Sequence, residues 1–538
     1  MHPFNNMNRR IYWLLMLLVI PALLITPVAR AETDGWESVA PGIDYQQFTL
    51  PGPNRVFVTR MDRANPNVTL ESSIAHGKIS GSREKVTEMA ERYDQALNYW
   101  GQAWGARSQV VVAINGGFFN LGTGIIEGGQ VQSGWYAKRF TDLEGRSGFA
   151  WKLDRSAFIG ECVNHRPNKQ YITYTNTGAI QWFYDINVDR GDNQLIVYTP
   201  QYDARTHTDD NGVEVLVQMS EPDLIQPAPH FDTGIVREIR DGQGGSFIPF
   251  DSIVLSASGA ARNELLSKIH LGEEIHLSQE INHTSQDDCQ TPVSGDWTKT
   301  YASIDGSVTL VKDGVIPSFS EDNPDPRTAI AFNGDRTSGY IYFIVVDGRI
   351  PGYSIGMSFD ELAHFAKDTL GATWAINQDG GGSSTMVVNG VVKNHPSDRC
   401  KALFLPFISR SGGKTASQTP QAESVDLVSL LFACQRPVAN GMLMVVVESA
   451  SYSNAFTPGE SVETAQTTVL RLGPGSNYAE VAVIPANMTG TVIPHSNNLN
   501  GILAKGSYWW QVSFDSVTGW MAEETLTHVG KISLAEGQ

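Results

Sequence analysis

Asp379 stands directly before three consecutive glycines, Gly380, Gly381 and Gly382, and three hydroxyls follow at Ser383, Ser384 and Thr385. A carboxylate supplies a base or a nucleophile, hydroxyls donate hydrogen bonds, and glycines let a ligand come close to the backbone. The combination suits an anion cradle with a catalytic carboxylate at its edge. Strand-like runs at 372–376 and 385–388 flank it, so composition alone equally allows a flexible hairpin turn.

A second unusual cluster is Asn115-Gly116-Gly117-Phe118-Phe119-Asn120, which ends the apolar run 110–114. A buried strand that bends at Asn-Gly-Gly would turn amide N–H groups and carboxamides toward a ligand. Phe118 and Phe119 read as plugs of the core beneath that bend. Glu127 is a candidate second carboxylate, though ordinary when taken alone. Arg327 follows the stiff turn 322–326 and opens an apolar strand. A guanidinium there can grip phosphate through charged hydrogen bonds worth about 1.5–3 kcal/mol each. Its plain alternative is an ion pair with a neighbouring aspartate.

No cofactor is expected. The histidines show no metal-ligand spacing, and the acids at 321–325 hint at calcium without an EF-hand's pattern. His395 reads as structural or rim-lining. No phosphate-binding GxxxxGK[ST] loop is present.

The 538 residues carry a formal charge of −18. With no Lys/Arg stripe to override it, that acidity argues against nucleic acid or anionic lipid as a partner and makes single arginines informative. Residues 1–31 read as a cleaved export signal: Arg9 and Arg10, an apolar run at 11–28, then Ala29-Arg30-Ala31. Its removal would leave −21, and an uncleaved anchor is the alternative. No later run is long and apolar enough to span a bilayer. The expected location is periplasmic, cell-surface or extracellular. Cys162, Cys289, Cys400 and Cys434 suit disulfides in that setting, with three pairings open.

Several elements must position these groups. Strands are predicted at 55–60, 67–70, 110–114, 195–198, 213–217, 327–331 and 339–346. Helices are predicted at 82–104, capped by Ser82, and at 358–370, where Ser358 and Glu361 form a capping box. Strands and helices intersperse without a βαβ repeat, which predicts an α+β fold: a largely antiparallel mixed sheet with packed helices. Residues 411–424 read as a loop rich in Gly, Ser, Thr and Gln. A second module after residue 451, with short strands at 468–475, 508–512 and 519–521, predicts a small β-barrel.

Taken in order, the segments 115–119, 327–330, 379–386 and 394–397 resemble the phosphodiester glycosidase family, with 195–200 and 248–255 also similar to its strands. The resemblance covers roughly residues 40–446. It implies a domain at 32–450 that departs from the family by an insertion at about 400–434. That insertion displaces the closing strand motif to 435–440, which makes Arg436 a candidate. Cys400 and Cys434 end the insertion and are predicted to pair, contributing roughly 4 kcal/mol through loop closure. Cys162 with Cys289 would follow. Residues 455–530 resemble a bacterial SH3 domain, which implies binding to a cell-wall or surface polymer unless its tryptophans are only core.

The family resemblance implies an exported hydrolase that cleaves the C1–O bond of a sugar-1-phosphodiester within an envelope or extracellular glycan. In that reading Asp379 is base or nucleophile, and Arg327 with Ser383, Ser384, Thr385 and the amides of Gly380, Gly381 and Gly382 holds phosphate. Asn115 and Glu127 contact sugar or assist proton transfer, Gly116 and Gly117 line the substrate, and Arg436 is a second anion clamp. Two alternatives stand beside it: a phosphodiesterase breaking P–O, and a non-catalytic surface-glycan binder.

Overall fold

The computed structural model describes residues 35–529 apart from 141–146, 284–292, 294, 321–322, 336–337, 400–432 and 516. The expected export signal and nearly all of the expected insertion therefore lie outside the described residues. The described residues from Ser38 onward cluster as one compact unit. Among the described residues there are only three α-helices, Val86–Tyr93, Gly259–Lys268 and Phe359–His364, and strands dominate. The α+β expectation is thus corrected: the fold is mostly β, built from antiparallel sheets.

The predicted helix at 82–104 shows why. Its helical face is real over Val86–Tyr93, where Val86, Met89, Ala90 and Tyr93 are buried, but Lys85 rather than Ser82 caps it. Gln95 then takes φ +57°, and Gly101 (φ +65°) with Gln102 (φ +65°) forms a tight reversal. That reversal turns Ala96–Trp100 and Ala103–Asn115 into an antiparallel pair. The capping box at Ser358 and Glu361 is formed as predicted, and the helix continues as a π-helical turn over Phe365–Thr369. No described helix is long and apolar enough to cross a membrane.

Two sheets frame the candidate site. In one, Asn54–Asp62, Tyr340–Val346, Arg327–Phe332 and Trp374–Asn377 are neighbours. In the other, Met386–Val388, Ala103–Asn115, Asn440–Glu448 and Val68–Ile74 run side by side. Phe57, Leu70, Ile114, Ile330, Phe343, Ile376, Met386 and Met442 form their common core. The other face of the second sheet is covered by Val86, Met89 and Tyr93 of the first helix, against Ala113, Val387 and Leu443. Burial on both faces explains the continuous apolar run that precedes Asn115.

Residues 461–528 form an eight-stranded sheet with its own core of Leu470, Trp510, Val512, Phe514 and Met521. It also packs Trp509 and Trp520 against Leu97 and Phe250. His495 Nε2 lies 3.0 Å from Asp251 Oδ2 across the same contact. The three tryptophans are therefore core residues.

Cys162 and Cys434 are each disulfide-bonded. Cys289 and Cys400, the partners predicted for them, lie outside the described residues.

Candidate active site

The run from Asn377 to Met386 is not a hairpin. Its two flanking strands belong to different sheets, so residues 378–385 cross from one to the other. Gln378 N donates to Thr328 O at 2.8 Å, Asp379 N to Gly116 O at 2.9 Å and Gly381 N to Pro326 O at 2.9 Å. Thr385 N donates to Asn115 Oδ1 at 3.1 Å, and Met386 N to Asn394 Oδ1 at 2.8 Å. Ser383 N and Ser384 N bond within the turn, to Gly380 O and Gly381 O. The Gly380 N–H is given to the Asp379 carboxylate. Most of the amide cradle expected from sequence is thus already committed to protein acceptors, and the turn is pinned.

Asn115 is fully buried and saturated. Its Nδ2 donates to Asp379 O at 2.7 Å, and its Oδ1 accepts from Thr328 Oγ1 at 2.8 Å and from Thr385 N. It positions the turn and has nothing left for a sugar. Gly116 and Gly117 are buried beside it, where a side chain would collide with Ile304 and Asp305 respectively. Phe119 is buried as expected, while Phe118 is half-buried.

Asp379 is partly exposed at the lip of the turn. Burial raises its carboxyl above the usual carboxylate range, and the Glu127 charge adds to this. Ser383, Arg436 and the Gly380 amide oppose the shift. Glu127 itself is exposed, delivered by the bond from its N–H to Phe118 O at 2.9 Å. The Glu127 charge is the smallest of these influences on Asp379.

Arg436 grips Asp398 through Nε at 2.7 Å and Nη2 at 2.9 Å, and its Nη1 reaches Ser383 Oγ at 3.5 Å. The pair sits on Gly382, where any Cβ would strike the Asp398 carboxylate. Ser383, Ser384 and Thr385 are all buried. The Ser383 hydroxyl is turned to Asp379 and Arg436, while those of Ser384 and Thr385 are buried without a hydrogen-bond partner, so none of the three is presented at the surface to a phosphate.

Arg327 is corrected as well. Strand alternation sends Thr328 to Asn115 and Arg327 the opposite way. Its Nε donates to Met357 O at 3.0 Å and its Nη2 to Asn323 O at 2.9 Å, with Phe359 4.0 Å from the guanidinium carbon. It is 6% exposed and staples loops together. The cation that the sequence reading missed is Arg349, whose exposed guanidinium lies over Gly381. Asp325, from the stretch that hinted at calcium, holds Arg349 Nε at 2.9 Å instead. His395 is half-buried at the rim, its Nδ1 2.8 Å from Tyr353 Oη and its N–H bonded to the buried Asp347.

Among solved structures the chain is similar to a hypothetical protein from Synechocystis at 16% identity (TM-score 0.42) over 78% of this chain. It spans 65% of that protein, just under two thirds. It is also similar to a putative exported protein from Burkholderia pseudomallei at 18% identity, covering 73% of this chain and 74% of the other, with a TM-score of 0.42. The catalytic domain of zebrafish N-acetylglucosamine-1-phosphodiester alpha-N-acetylglucosaminidase, auto-inhibited by its pro-peptide, aligns at 15% identity over 77% of this chain and 84% of the other, with a TM-score of 0.34. No curated protein matches the chain. Residues 232–404, which contain Arg327, Arg349, Asp379 and Asp398, match the phosphodiester glycosidase family model.

Proposed function

We propose that this chain is an exported hydrolase that cleaves the glycosidic C1–O bond of a sugar joined to a phosphodiester. The observation that carries the reading is Asp379 itself, a partly exposed carboxylate on a turn pinned by Asn115, with Ser383 and Arg436 against it and the charge of Glu127 felt there. Glycoside hydrolysis uses two carboxyl groups across the anomeric carbon. A phosphate leaving group is a weak base, so little acid assistance is needed and cationic support of the departing oxygens matters more. In this reading Asp379 is the base or nucleophile, Glu127 assists proton transfer from the solvent side, and Asn115 positions Asp379 without touching substrate.

The family match over 232–404 supports a hydrolase acting on phosphodiester-linked sugar. Residues 1–31 support export, whereas the core tryptophans of the sheet at 461–528 give no support to polymer binding there. The test is hydrolysis of sugar-1-phosphodiesters in ¹⁸O-water. Label in the sugar supports C1–O cleavage, whereas label in the phosphate would replace this reading by a P–O phosphodiesterase. Saturable glycan binding without turnover would make the chain a binder.

A further inference from the structure

We infer that Arg349 is the anion fork of this site: resting over Gly381, its guanidinium holds the two non-bridging oxygens of a phosphodiester on its solvent-exposed side. The inference rests on the reading just given for the substrate class, but its geometry stands independently.

Two glycines of the turn each carry an arginine. A Cβ built on Gly381 would lie 3.1 Å from Arg349 Nη1 and 3.2 Å from Nη2, and one on Gly382 would meet Arg436. Adjacent Cα atoms are about 3.8 Å apart, so the two guanidiniums stand over neighbouring residues of one short turn. Gly381 also needs φ +61°, which glycine adopts without strain. Gly381 and Gly382 thus lie beneath the two cations, while a Cβ on Gly380 would meet Pro326 O at 2.7 Å.

The two cations are not equivalent. Arg436 spends Nε and Nη2 on Asp398 and turns Nη1 to Ser383. Arg349 gives only Nε, to Asp325. Its Nη1 and Nη2 make no hydrogen bond to any described residue, and its side chain is 50% exposed. Two parallel N–H groups on a planar fork match two phosphate oxygens, which a lysine's point charge does not.

The fork is held in place before any ligand arrives. Arg349 itself sits at φ +61°, an uncommon conformation for a residue with a Cβ. Its N–H donates to Ile355 O at 3.2 Å, and Ile350 N to Ser354 O at 2.9 Å closes the turn. Asp325, which orients the guanidinium, is bridged through its backbone to Met357. Fixing both ends lowers the ordering cost of binding. With the backbone amides of the turn largely committed, side-chain cations must supply the grip, and Arg349 is the one with donors to give.

The test is titration of the full-length chain with inorganic phosphate by calorimetry, which needs no turnover. Arg349→Asn removes the fork while asparagine tolerates positive φ, so the fold is kept. Phosphate affinity is expected to fall about 10-fold or more in Arg349→Asn and to be only partly restored in Arg349→Lys. Arg327→Lys, provided it remains folded, is expected to bind phosphate within about 2-fold of the unaltered chain, since that residue faces away. Equal affinity in Arg349→Asn and the unaltered chain would overturn the assignment, as would absence of phosphate binding by the unaltered chain. If phosphate behaves as expected but no sugar-1-phosphodiester is hydrolysed, the fork stands and the glycosidase reading falls.

Discussion

The Asn115 carboxamide donates a 2.7 Å hydrogen bond to the carbonyl of Asp379, across 264 residues of sequence. The same side chain accepts from Thr328 and Thr385, so one buried residue ties two sheets to the turn that carries the candidate catalytic carboxylate. Asn115→Ala leaves the Asp379 carbonyl, the Thr328 hydroxyl and the Thr385 N–H without partners. Each orphaned group costs about 1–3 kcal/mol, so destabilisation of about 3 kcal/mol or more is expected, together with loss of kcat. Thermal unfolding and steady-state kinetics check this. Loss of kcat with unchanged stability would instead make Asn115 a substrate contact.

Arg327 is expected to matter for stability and not for substrate binding. Arg327→Ala removes two charged hydrogen bonds, to the carbonyl of Met357 (which keeps the Asp325 N–H) and to that of the exposed Asn323, and takes the cation from the face of Phe359. A loss of about 2–4 kcal/mol follows. A variant with unchanged melting but a KM raised 10-fold or more would return Arg327 to the phosphate site.

The Asp379 pKa is raised by burial and by Glu127, and held down by Ser383 and Arg436. If ionised Asp379 is the working form, kcat/KM falls as pH drops through that raised pKa. Arg436→Gln removes a favourable charge, so the acid limb should move to still higher pH; Glu127→Gln should move it lower. pH–rate profiles of both variants test this, and an unmoved limb in both would remove Asp379 as the titrating group.

Stability should fall as pH rises from about 4 to about 7. Burial raises Asp223 to about 7, and burial with the Asp223 charge raises Asp232 well above the carboxylate range. Gln226 donates to Asp232 and Gln279 to Asp223, with Glu221 and Arg139 nearby. Because the folded pKa values exceed the unfolded ones, the native state binds more protons, and stability present below the unfolded pKa is lost through the folded pKa. Asp223→Asn removes one of the two raised carboxyls and is expected to flatten the dependence measured by denaturant titration between pH 4 and 8. Glu71, also raised to about 7 by burial, leaves a residual slope.

Much of the fold was legible where periodicity and burial agree. The predicted strand at 195–198 matches Leu195–Tyr198, and 327–331 matches Arg327–Phe332 to one residue. The helix at 82–104 was over-extended because left-handed residues at Gln95 and Gln102 carry no composition signal. At the site, the spacing of the two Gly-rich clusters was readable, but side-chain direction was not. Arg327 and Thr328 are neighbours in sequence and face opposite ways, which only the sheet register decides. Arg349 was overlooked although its signal was present: an arginine directly after Asp347-Gly348, at the end of the apolar strand Tyr340–Val346. Asn115 was read as a ligand because its burial beneath the crossing turn depends on contacts more than 200 residues away.

Release of free sugar from a sugar-1-phosphodiester by the unaltered chain and by Asp379→Asn tests the central claim most directly. The account predicts turnover with ¹⁸O from water in the sugar, and a fall of about 10³-fold or more in kcat for Asp379→Asn with the fold intact. Undiminished sugar release by folded Asp379→Asn would contradict it.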